Sequence, residues 1–286
     1  MTTLITGGAS QTGLALAALL QTEGIPVLFG SRSGRGVPAG IPSVKLDFTD
    51  PSTFEAPFSV EGHKINSVYL VFAEFDPFPF AKPFIDLAVE KGVGRFVILS
   101  AGGRRTEKGP DSIGMGKVHT YLDEKGLDYV SLRPIWFTEN LSRNYGYGIK
   151  QYNSFQNTMS KARVPLIAVE DIAQAAFYAI TDISKLPNRE PILVGPELVS
   201  YPEIAAILTE TLGRQITHIT ISQDELVKKY QTYGIPDALA RYLAEIEGEE
   251  EAMGVGEALM KDPRTLVGKL GVRDWIVKHK EEFAPA

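Results

Sequence analysis

One stretch near the start of the chain decides the fold: Thr3-Leu4-Ile5-Thr6-Gly7-Gly8-Ala9-Ser10-Gln11-Thr12-Gly13. Its first four residues are apolar or β-branched, a composition typical of a buried strand. Leucines and alanines at helical spacing follow Gly13, so the pattern predicts a helix directly after the glycines. A glycine-rich turn between a strand and a helix presents backbone N–H groups and the positive end of the helix dipole. This arrangement binds a pyrophosphate.

The predicted phosphate loop departs from the usual three-glycine pattern at its middle position. Read as G-x-x-G-x-x-G, the loop has Gly7 and Gly13 as its outer glycines and Ser10 in place of the middle one. A side chain there either displaces the phosphate or binds it through the hydroxyl, and the sequence leaves both interpretations open. We predict that Gln11 and Thr12 complete the loop. The alternative is a plain tight turn.

The end of the second strand indicates which nucleotide binds. A strict NAD enzyme carries an acidic residue here for the ribose 2′-hydroxyl, but this chain carries Ser31-Arg32-Ser33. A guanidinium flanked by hydroxyls suits the 2′-phosphate of NADP(H), and a solvated arginine is the alternative. Asp47-Phe48 after the third strand are predicted adenine contacts, with a turn cap as the alternative for Asp47. Phe72-Ala73 at the end of the fourth strand complete the predicted cofactor site.

Strands and helices alternate from this loop over the first two-thirds of the chain. Apolar strands separated by helices predict a parallel sheet that is covered on both faces. We therefore expect an α/β fold with a doubly wound, mostly parallel Rossmann sheet and a smaller, mostly helical C-terminal substrate lobe. The predicted strands are 3–6, 26–30, 44–46, 67–72, 95–100, 129–133 and 191–194. The predicted helices are 13–21, 84–90, 118–124, 169–180, 201–212, 223–233 and 236–247.

The same alternation suggests how the chain divides. Residues 1–135, with 163–195 returning to them, are expected to form the nucleotide-binding core. Residues 136–162 and 196–286 are expected to form the substrate lobe. The acidic run 249–251 in that lobe is expected to be a solvated helix face.

Composition excludes several classes of function for the 286-residue chain. Lysines and arginines number 29 against 35 acidic residues, and this net charge of −6 argues against nucleic-acid and anionic membrane partners. The absence of cysteine excludes disulfides, thiolate metal sites and thiol nucleophiles. The four histidines, at 63, 119, 218 and 279, show no metal-ligand spacing, so we predict no metal site. The chain shows neither a membrane-length apolar run nor a secretory leader, and we expect a cytoplasmic protein.

Several motifs resemble those of the NmrA-like branch of the atypical short-chain dehydrogenases. They are Thr6-Gly7-Gly8, Ser31-Arg32-Ser33, Arg95-Phe96-Val97 with Ser100-Ala101, Arg133-Pro134 with Phe137-x-Glu139-Asn140, and Val169-x-Asp171-Ile172-Ala173. Within that branch the chain is similar to the fungal ergot-alkaloid reductases, the festuclavine and agroclavine dehydrogenases. The narrower resemblance rests on Met115-Gly116-x-Val118-His119, Gly195-Pro196-Glu197-Leu198 and Ile216-Thr217-His218. It covers nearly the whole chain and implies NADPH binding and reduction of an iminium in an indole alkaloid.

The predicted site lacks the usual proton donor of short-chain dehydrogenases. Those enzymes use a Tyr-x-x-x-Lys pair, whereas here Tyr121 and Lys125 have the spacing but lie late on their helix. An iminium needs no such donor, because hydride addition converts a cation into a neutral amine. Glu74 and Asp76, in an aromatic loop after the fourth strand, are predicted catalytic carboxylates that bind a cationic aromatic substrate. A proline-stiffened surface turn is the alternative for that loop.

Further candidates come from the later strands and helices. We predict that Ser100 contacts the substrate or the nicotinamide, with a turn cap as the alternative. His119 is predicted to donate a proton, with a core histidine as the alternative. The predicted substrate pocket is lined by Phe78, Met115, Trp136, Phe137, Tyr145 and Tyr147, each of which could instead belong to the core.

The sequence thus predicts an NADPH-dependent oxidoreductase acting on a C–N bond of a small molecule in alkaloid or other secondary metabolism. One alternative keeps the nucleotide for a redox-neutral cyclisation or rearrangement, with Glu74, Asp76 and His119 as acid–base groups. Another is a non-catalytic NmrA-like redox sensor with a protein partner. The sequence leaves the oligomeric state open.

Overall fold

A computed structural model describes residues 1–103, 106–110 and 112–285 of the chain. They form two compact units, Met1–Ile135 with Val169–Leu193, and Trp136–Ala168 with Val194–Ala286. The expected return of the chain to the first unit therefore begins at Val169 and not at residue 163. The reason is that Val164 pairs with Val199, and Leu166 and Ala168 are buried in the core of the second unit.

Twelve strands and eleven helices are assigned within the described residues. The strands are β1 (Thr2–Ile5), β2 (Val27–Ser31), β3 (Ser43–Lys45), β4 (Ile65–Leu70), β5 (Arg95–Leu99), β6 (Tyr129–Pro134), β7 (Ser154–Asn157), β8 (Arg163–Val164), β9 (Ile192–Val194), β10 (Val199–Ser200), β11 (Thr217–Thr220) and β12 (Thr265–Val267). The helices are α1 (Gln11–Thr22), α2 (Phe78–Glu90), α3 (Met115–Glu124), α4 (Asn140–Arg143), α5 (Gly146–Tyr152), α6 (Val169–Thr181), α7 (Tyr201–Leu212), α8 (Gln223–Thr232), α9 (Asp237–Met253), α10 (Val255–Lys261) and α11 (Val272–Lys278).

The sheet of the first unit is parallel and doubly wound, which confirms the predicted fold class. Its strands follow the order β3-β2-β1-β4-β5-β6-β9, and every adjacent pair is parallel. The chain order reverses between β1 and β4. In such sheets ligands bind outside the carboxyl ends of the strands at the point of reversal.

Burial explains why the strands read as continuous apolar runs. Every residue of β1, β2 and β6 is buried, because helices cover both faces of the sheet. On one face α1 packs against α6, and buried alanines such as Ala17, Ala173 and Ala176 keep the facing surfaces small. The other face holds an aromatic cluster in which Phe48 contacts Phe54, Phe72 and Phe84.

The second unit is mostly helical and has its own core. Two small sheets, β7 with β11 and β8 with β10, complement its helices. Tyr145, Phe155 and Tyr201 pack ring against ring in this core. The fully buried Trp275 donates its indole N–H to Glu139 Oε1 over 3.0 Å, which satisfies its one polar atom.

Two expectations about helices are corrected. Helix α2 begins at Phe78, six residues before the predicted start, because Pro79 lies in the first turn, where a missing N–H costs no hydrogen bond. In the acidic run 249–251 only Glu249 is exposed, so the run as a whole is not the expected solvated face. Glu250 is buried, and the Glu251 carboxylate accepts hydrogen bonds from the backbone N–H groups of Lys161 and Ala162 at 3.0 and 2.9 Å.

Within the described parts of the chain, no helix combines the length and the apolar character that crossing a bilayer requires.

Candidate functional site

A cleft of about 330 Å³ lies at the carboxyl ends of β1, β2, β3 and β4, where the strand order reverses. The residues that follow each of these strands form the wall of the cleft. The lining residues are Gly7, Gly8, Ala9, Ser10, Ser31, Arg32, Ser33, Arg35, Leu46, Asp47, Phe48, Val71, Ala73 and Glu74. The cleft therefore unites sequence motifs that are about 70 residues apart along the chain.

The glycine loop leaves β1 in a conformation that requires glycine. Gly7 and Gly8 have φ angles of +77° and +59°, in the left-handed region that L side chains rarely adopt. A Cβ on Gly7 would lie 2.7 Å from the Cβ of Val71 at the end of β4. The backbone therefore passes close to β4 and opens a cradle of main-chain atoms beside the start of α1. This cradle fits a dinucleotide pyrophosphate.

Ser10 has a role that neither sequence interpretation foresaw, because it is the N-cap of α1. Its Oγ accepts a hydrogen bond from Gly13 N over 3.2 Å. A Cβ on Gly13 would lie 2.7 Å from that Oγ and 2.9 Å from Ile5 Cγ2, so the third glycine permits the cap and the helix–strand contact. The N–H groups of Gln11 and Thr12 have no acceptor within the helix and remain for an anion. The Thr12 side chain points into the protein and is 2% exposed.

The turn after β2 carries two arginines into the cleft. Ser31 Oγ accepts a hydrogen bond from Gly34 N over 3.0 Å, and Ser33 Oγ accepts one from Arg35 N over 3.3 Å. The two serines thus shape the turn, while the exposed side chains of Arg32 and Arg35 line the cleft. Sequence reasoning missed Arg35, although a second basic residue three positions after Arg32 was the available signal.

The residues after β3, which are the predicted adenine contacts, line one wall of the cleft. Asp47 Oδ1 accepts hydrogen bonds from the Thr49 hydroxyl at 2.7 Å and the Thr49 N–H at 2.9 Å, which lower the pKa of the carboxyl. Asp47 therefore caps its own turn, as the alternative interpretation predicts, and it also lines the cleft. Phe48 forms the apolar wall, and Phe72 supports it from behind with ring centroids 4.5 Å apart.

The structure separates the two predicted catalytic carboxylates. Glu74 lines the nucleotide cleft, where its Oε2 accepts a hydrogen bond from Ala73 N over 3.1 Å. Asp76 instead forms an ion pair with Lys117 on α3, with Nζ and Oδ2 2.5 Å apart. Its other oxygen, Oδ1, is buried and has no hydrogen-bond partner among the described residues.

Ser100 lies at the carboxyl edge of the sheet, whereas His119 lies inside the core. Ser100 follows β5 at the carboxyl edge of the sheet, and its Oγ is buried without a hydrogen-bond partner in the described ranges. His119 is 0% exposed on α3, and its Nε2 lies 2.7 Å from Ser131 Oγ on β6. Burial lowers the pKa of His119 to about 4, so the ring is neutral at physiological pH. This placement corrects the expected proton donor, because a substrate cannot reach an imidazole enclosed in the core.

The six residues predicted for the substrate pocket differ in burial, and four of them are partly buried. Phe78 and Met115 contact the core of the first unit, and Trp136 contacts the core of the second. Phe137 is half-buried and bridges to Ile167. Tyr145 is a core residue 9% exposed, whereas Tyr147 lies on the surface against Tyr152 and is 66% exposed. The prediction is corrected for these two tyrosines, since one is enclosed and the other faces solvent.

Among residues 1–103, 106–110 and 112–285, the structure brings together no cluster of three acidic or histidine side chains that could hold a metal ion.

Comparison with known proteins agrees with this geometry. The sequence profile of an NAD(P)H-binding family matches residues 7–182. Agroclavine dehydrogenase from Claviceps fusiformis is 36% identical over 277 residues, which cover 94% of this chain and 93% of that protein. Festuclavine synthase I from Penicillium roqueforti is 39% identical over 232 residues, or 79% of each chain.

Solved structures show the same fold at low sequence identity. The NADPH complex of an NADPH-dependent quinone oxidoreductase from Escherichia coli has a TM-score of 0.73 at 20% identity and covers 98% of this chain and 99% of that one. These findings confirm the resemblance to the festuclavine and agroclavine dehydrogenases. The chain therefore belongs to the NAD(P)H-binding family whose profile it matches, and it is a relative of the festuclavine and agroclavine dehydrogenases.

Proposed function

We propose that the protein is an NADPH-dependent reductase of an iminium in a nitrogen-containing aromatic metabolite of the indole alkaloid class. The observation that carries the cofactor choice is the pair of exposed arginines in the same cleft as the glycine loop. Two guanidinium groups at the end of β2 provide the charge and the donors for a 2′-phosphate. The relatives named agroclavine dehydrogenase and festuclavine synthase support the alkaloid class.

The arrangement around β5 and α3 supports an electrophile that needs no proton. Tyr121, which has the spacing of a catalytic tyrosine, donates its hydroxyl hydrogen to Asp86 on α2. Lys125 lies over the Tyr121 ring, 5.6 Å from its centroid. Tyr121 is therefore engaged with α2, and Lys125 is engaged with the Tyr121 ring. NADPH supplies a hydride when bound, and an iminium that accepts it becomes a neutral amine.

The protein's own residues then bind and orient NADPH and the substrate and exclude water. The glycine loop and the start of α1 hold the pyrophosphate, Arg32 and Arg35 hold the 2′-phosphate, and Phe48 covers the adenine. Asp76, whose side chain is 42% exposed, is the proposed charge partner of the cationic substrate. Lys117 neutralises much of that carboxylate, which limits ground-state stabilisation of a cation that loses its charge in the reaction. Glu74 faces the nucleotide cleft and is not assigned to the substrate.

The test uses a 3,4-dihydro-β-carbolinium salt, which is a stable indole-fused iminium, and a neutral indole ketone as the matched control. We expect the purified protein to consume NADPH with the iminium and not with the ketone. Conversion of a substrate without loss of NADPH absorbance would identify the redox-neutral rearrangement instead. Nucleotide binding without turnover of any iminium would favour the redox sensor.

A further inference from the structure

A fully buried arginine on the central sheet holds the segment that follows β5. Arg133 lies on β6 and is 0% exposed. Its Nε donates to Ala101 O over 3.2 Å, and its Nη2 donates to Gly103 O over 3.0 Å. Its Nη1 pairs with Glu107 Oε2 at 2.8 Å. A buried guanidinium is costly unless its donors are used, and here the planar fork is directed at one short stretch of backbone.

Further contacts hold the same stretch. The Thr106 hydroxyl oxygen lies 2.7 Å from Ala101 O and 2.8 Å from Gly103 O, the carbonyls that Arg133 also binds. The backbone continues the sheet pairing past the end of β5, because Gly102 N donates to Pro134 O over 2.9 Å. Residues 100–103 are therefore fixed to β6 through both main-chain and side-chain contacts.

This fixed stretch lies at the edge of the sheet where the reactive end of a dinucleotide belongs. Strand β5 neighbours β4, and the residues after β4 already line the nucleotide cleft. A dinucleotide whose pyrophosphate lies at α1 extends across the carboxyl ends of the adjacent strands. Ser100, at the start of the stretch, keeps a buried hydroxyl oxygen without a hydrogen-bond partner in the described part of the chain.

We propose that Arg133 is a positioning residue that fixes the backbone of residues 100–103 as the surface against which the nicotinamide ring packs. Arg133 acts through the carbonyls of Ala101 and Gly103 and does not itself contact the cofactor. The inference rests on the proposed function only for the identity of the bound nucleotide. It extends that function by assigning the rigid wall of the reacting ring to Arg133, which lies three strands from β1 in the sheet.

The test follows the fluorescence of bound NADPH, which rises when the reduced nicotinamide is immobilised away from water. Arg133→Lys keeps the charge beside Glu107 but replaces the planar fork by one ammonium, and Thr106→Val removes the second donor to the same carbonyls. We expect both variants to lose about half or more of the fluorescence enhancement, while NADPH affinity by calorimetry changes less than about threefold. Affinity is retained because the phosphates and the adenine are bound by other residues.

The matched control is Arg95→Lys at the opposite end of β5. Arg95 is partly exposed and lies away from the cleft, and like Arg133 it binds a carboxylate and a backbone carbonyl, those of Asp128 and Ala179. We expect its NADPH fluorescence to equal that of the wild type. If Arg133→Lys fails to fold, Thr106→Val decides the outcome by itself.

Three results overturn the proposal: wild-type fluorescence with no enhancement, unchanged enhancement in the Arg133 and Thr106 variants, or an equal loss in the Arg95 control. None of these measurements requires turnover. Failure of the iminium to react would therefore refute the proposed function and leave the positioning role standing. Where turnover occurs, Arg133→Lys should lower kcat about tenfold with little change in the KM for NADPH.

Discussion

Arg32→Ala should separate the two nicotinamide cofactors. The side chain lies exposed in the cleft at the end of β2, on a turn that Ser31 fixes through Gly34 N. NADPH and NADH differ only by the 2′-phosphate, so an arginine that binds this group matters for one nucleotide and not for the other. The variant should weaken NADPH and leave the affinity for NADH nearly unchanged.

The size of the effect follows from the number of cations in the cleft. A charge-assisted hydrogen bond contributes about 1.5–3 kcal/mol, which corresponds to about 10- to 100-fold in affinity. Arg32 is exposed to solvent, and Arg35 lines the same cleft and keeps part of the attraction in its absence. We therefore expect about 10-fold weaker NADPH binding for Arg32→Ala and about 100-fold for the variant that also carries Arg35→Ala.

Isothermal calorimetry with both nucleotides measures these affinities directly. The matched control is Lys45→Ala, which removes an exposed cation on β3 that pairs with Asp50 at 3.8 Å and does not line the cleft. The control should bind both nucleotides as the wild type does. Raising the salt concentration should weaken NADPH more than NADH in the wild type and should remove less affinity from the double variant. An equal loss of NADPH and NADH affinity in Arg32→Ala would refute this reasoning.

Three further predictions concern the cap, the carboxylates and a buried glutamate. Ser10→Ala should lower the free energy of unfolding by about 1 kcal/mol through loss of the N-cap, whereas Ser10→Gly should cost only a few tenths, and urea unfolding distinguishes them. Asp76→Asn should raise the KM for the iminium more than it lowers kcat, and Glu74→Gln should leave the KM for the iminium nearly unchanged; a kcat loss of about 100-fold for either would point to proton transfer instead. Burial raises the pKa of Glu247, which accepts hydrogen bonds from Thr158 and Tyr230. As the pH falls, the folded protein therefore binds this proton at a higher pH than the unfolded chain does. The free energy of unfolding should increase as the pH falls through the raised pKa, and Glu247→Gln should remove this increase.

Local sequence was sufficient wherever one stretch of chain carries its own geometry. The apolar run before Gly7 and the helical spacing after Gly13 predict the first strand–turn–helix, and the structure confirms both elements. The cradle follows from this local pattern, because a glycine with positive φ is a property of the turn itself. The position of Arg32 on the cleft wall follows for the same reason, since the end of a strand fixes where its next residues lie.

The start of α2 and the acidic run 249–251 show where a local sequence rule misleads. The prolines at 77 and 79 predict a loop, whereas Pro77 is the N-cap of α2 and Pro79 lies in its first turn. An N–H group at either position would have no acceptor within the helix, so its absence costs no hydrogen bond. The acidic run 249–251 likewise read as solvated, since charge usually faces water. The rule fails here because the backbone N–H groups of residues 161 and 162 need a hydrogen-bond acceptor. The Glu251 carboxylate is that acceptor and is therefore drawn out of water.

The sequence by itself determined the strand–helix alternation, the glycine loop and the arginine at the end of the second strand, because these depend on residues close together along the chain. Tertiary structure decided which polar groups are free. It paired Asp76 with Lys117, 41 residues away, and enclosed His119 against Ser131. It also turned Arg133 toward the carbonyls of Ala101 and Gly103. A side chain's partners come from elements distant in sequence, and burial, which sets the protonation and reach of a group, exists only once those elements have packed.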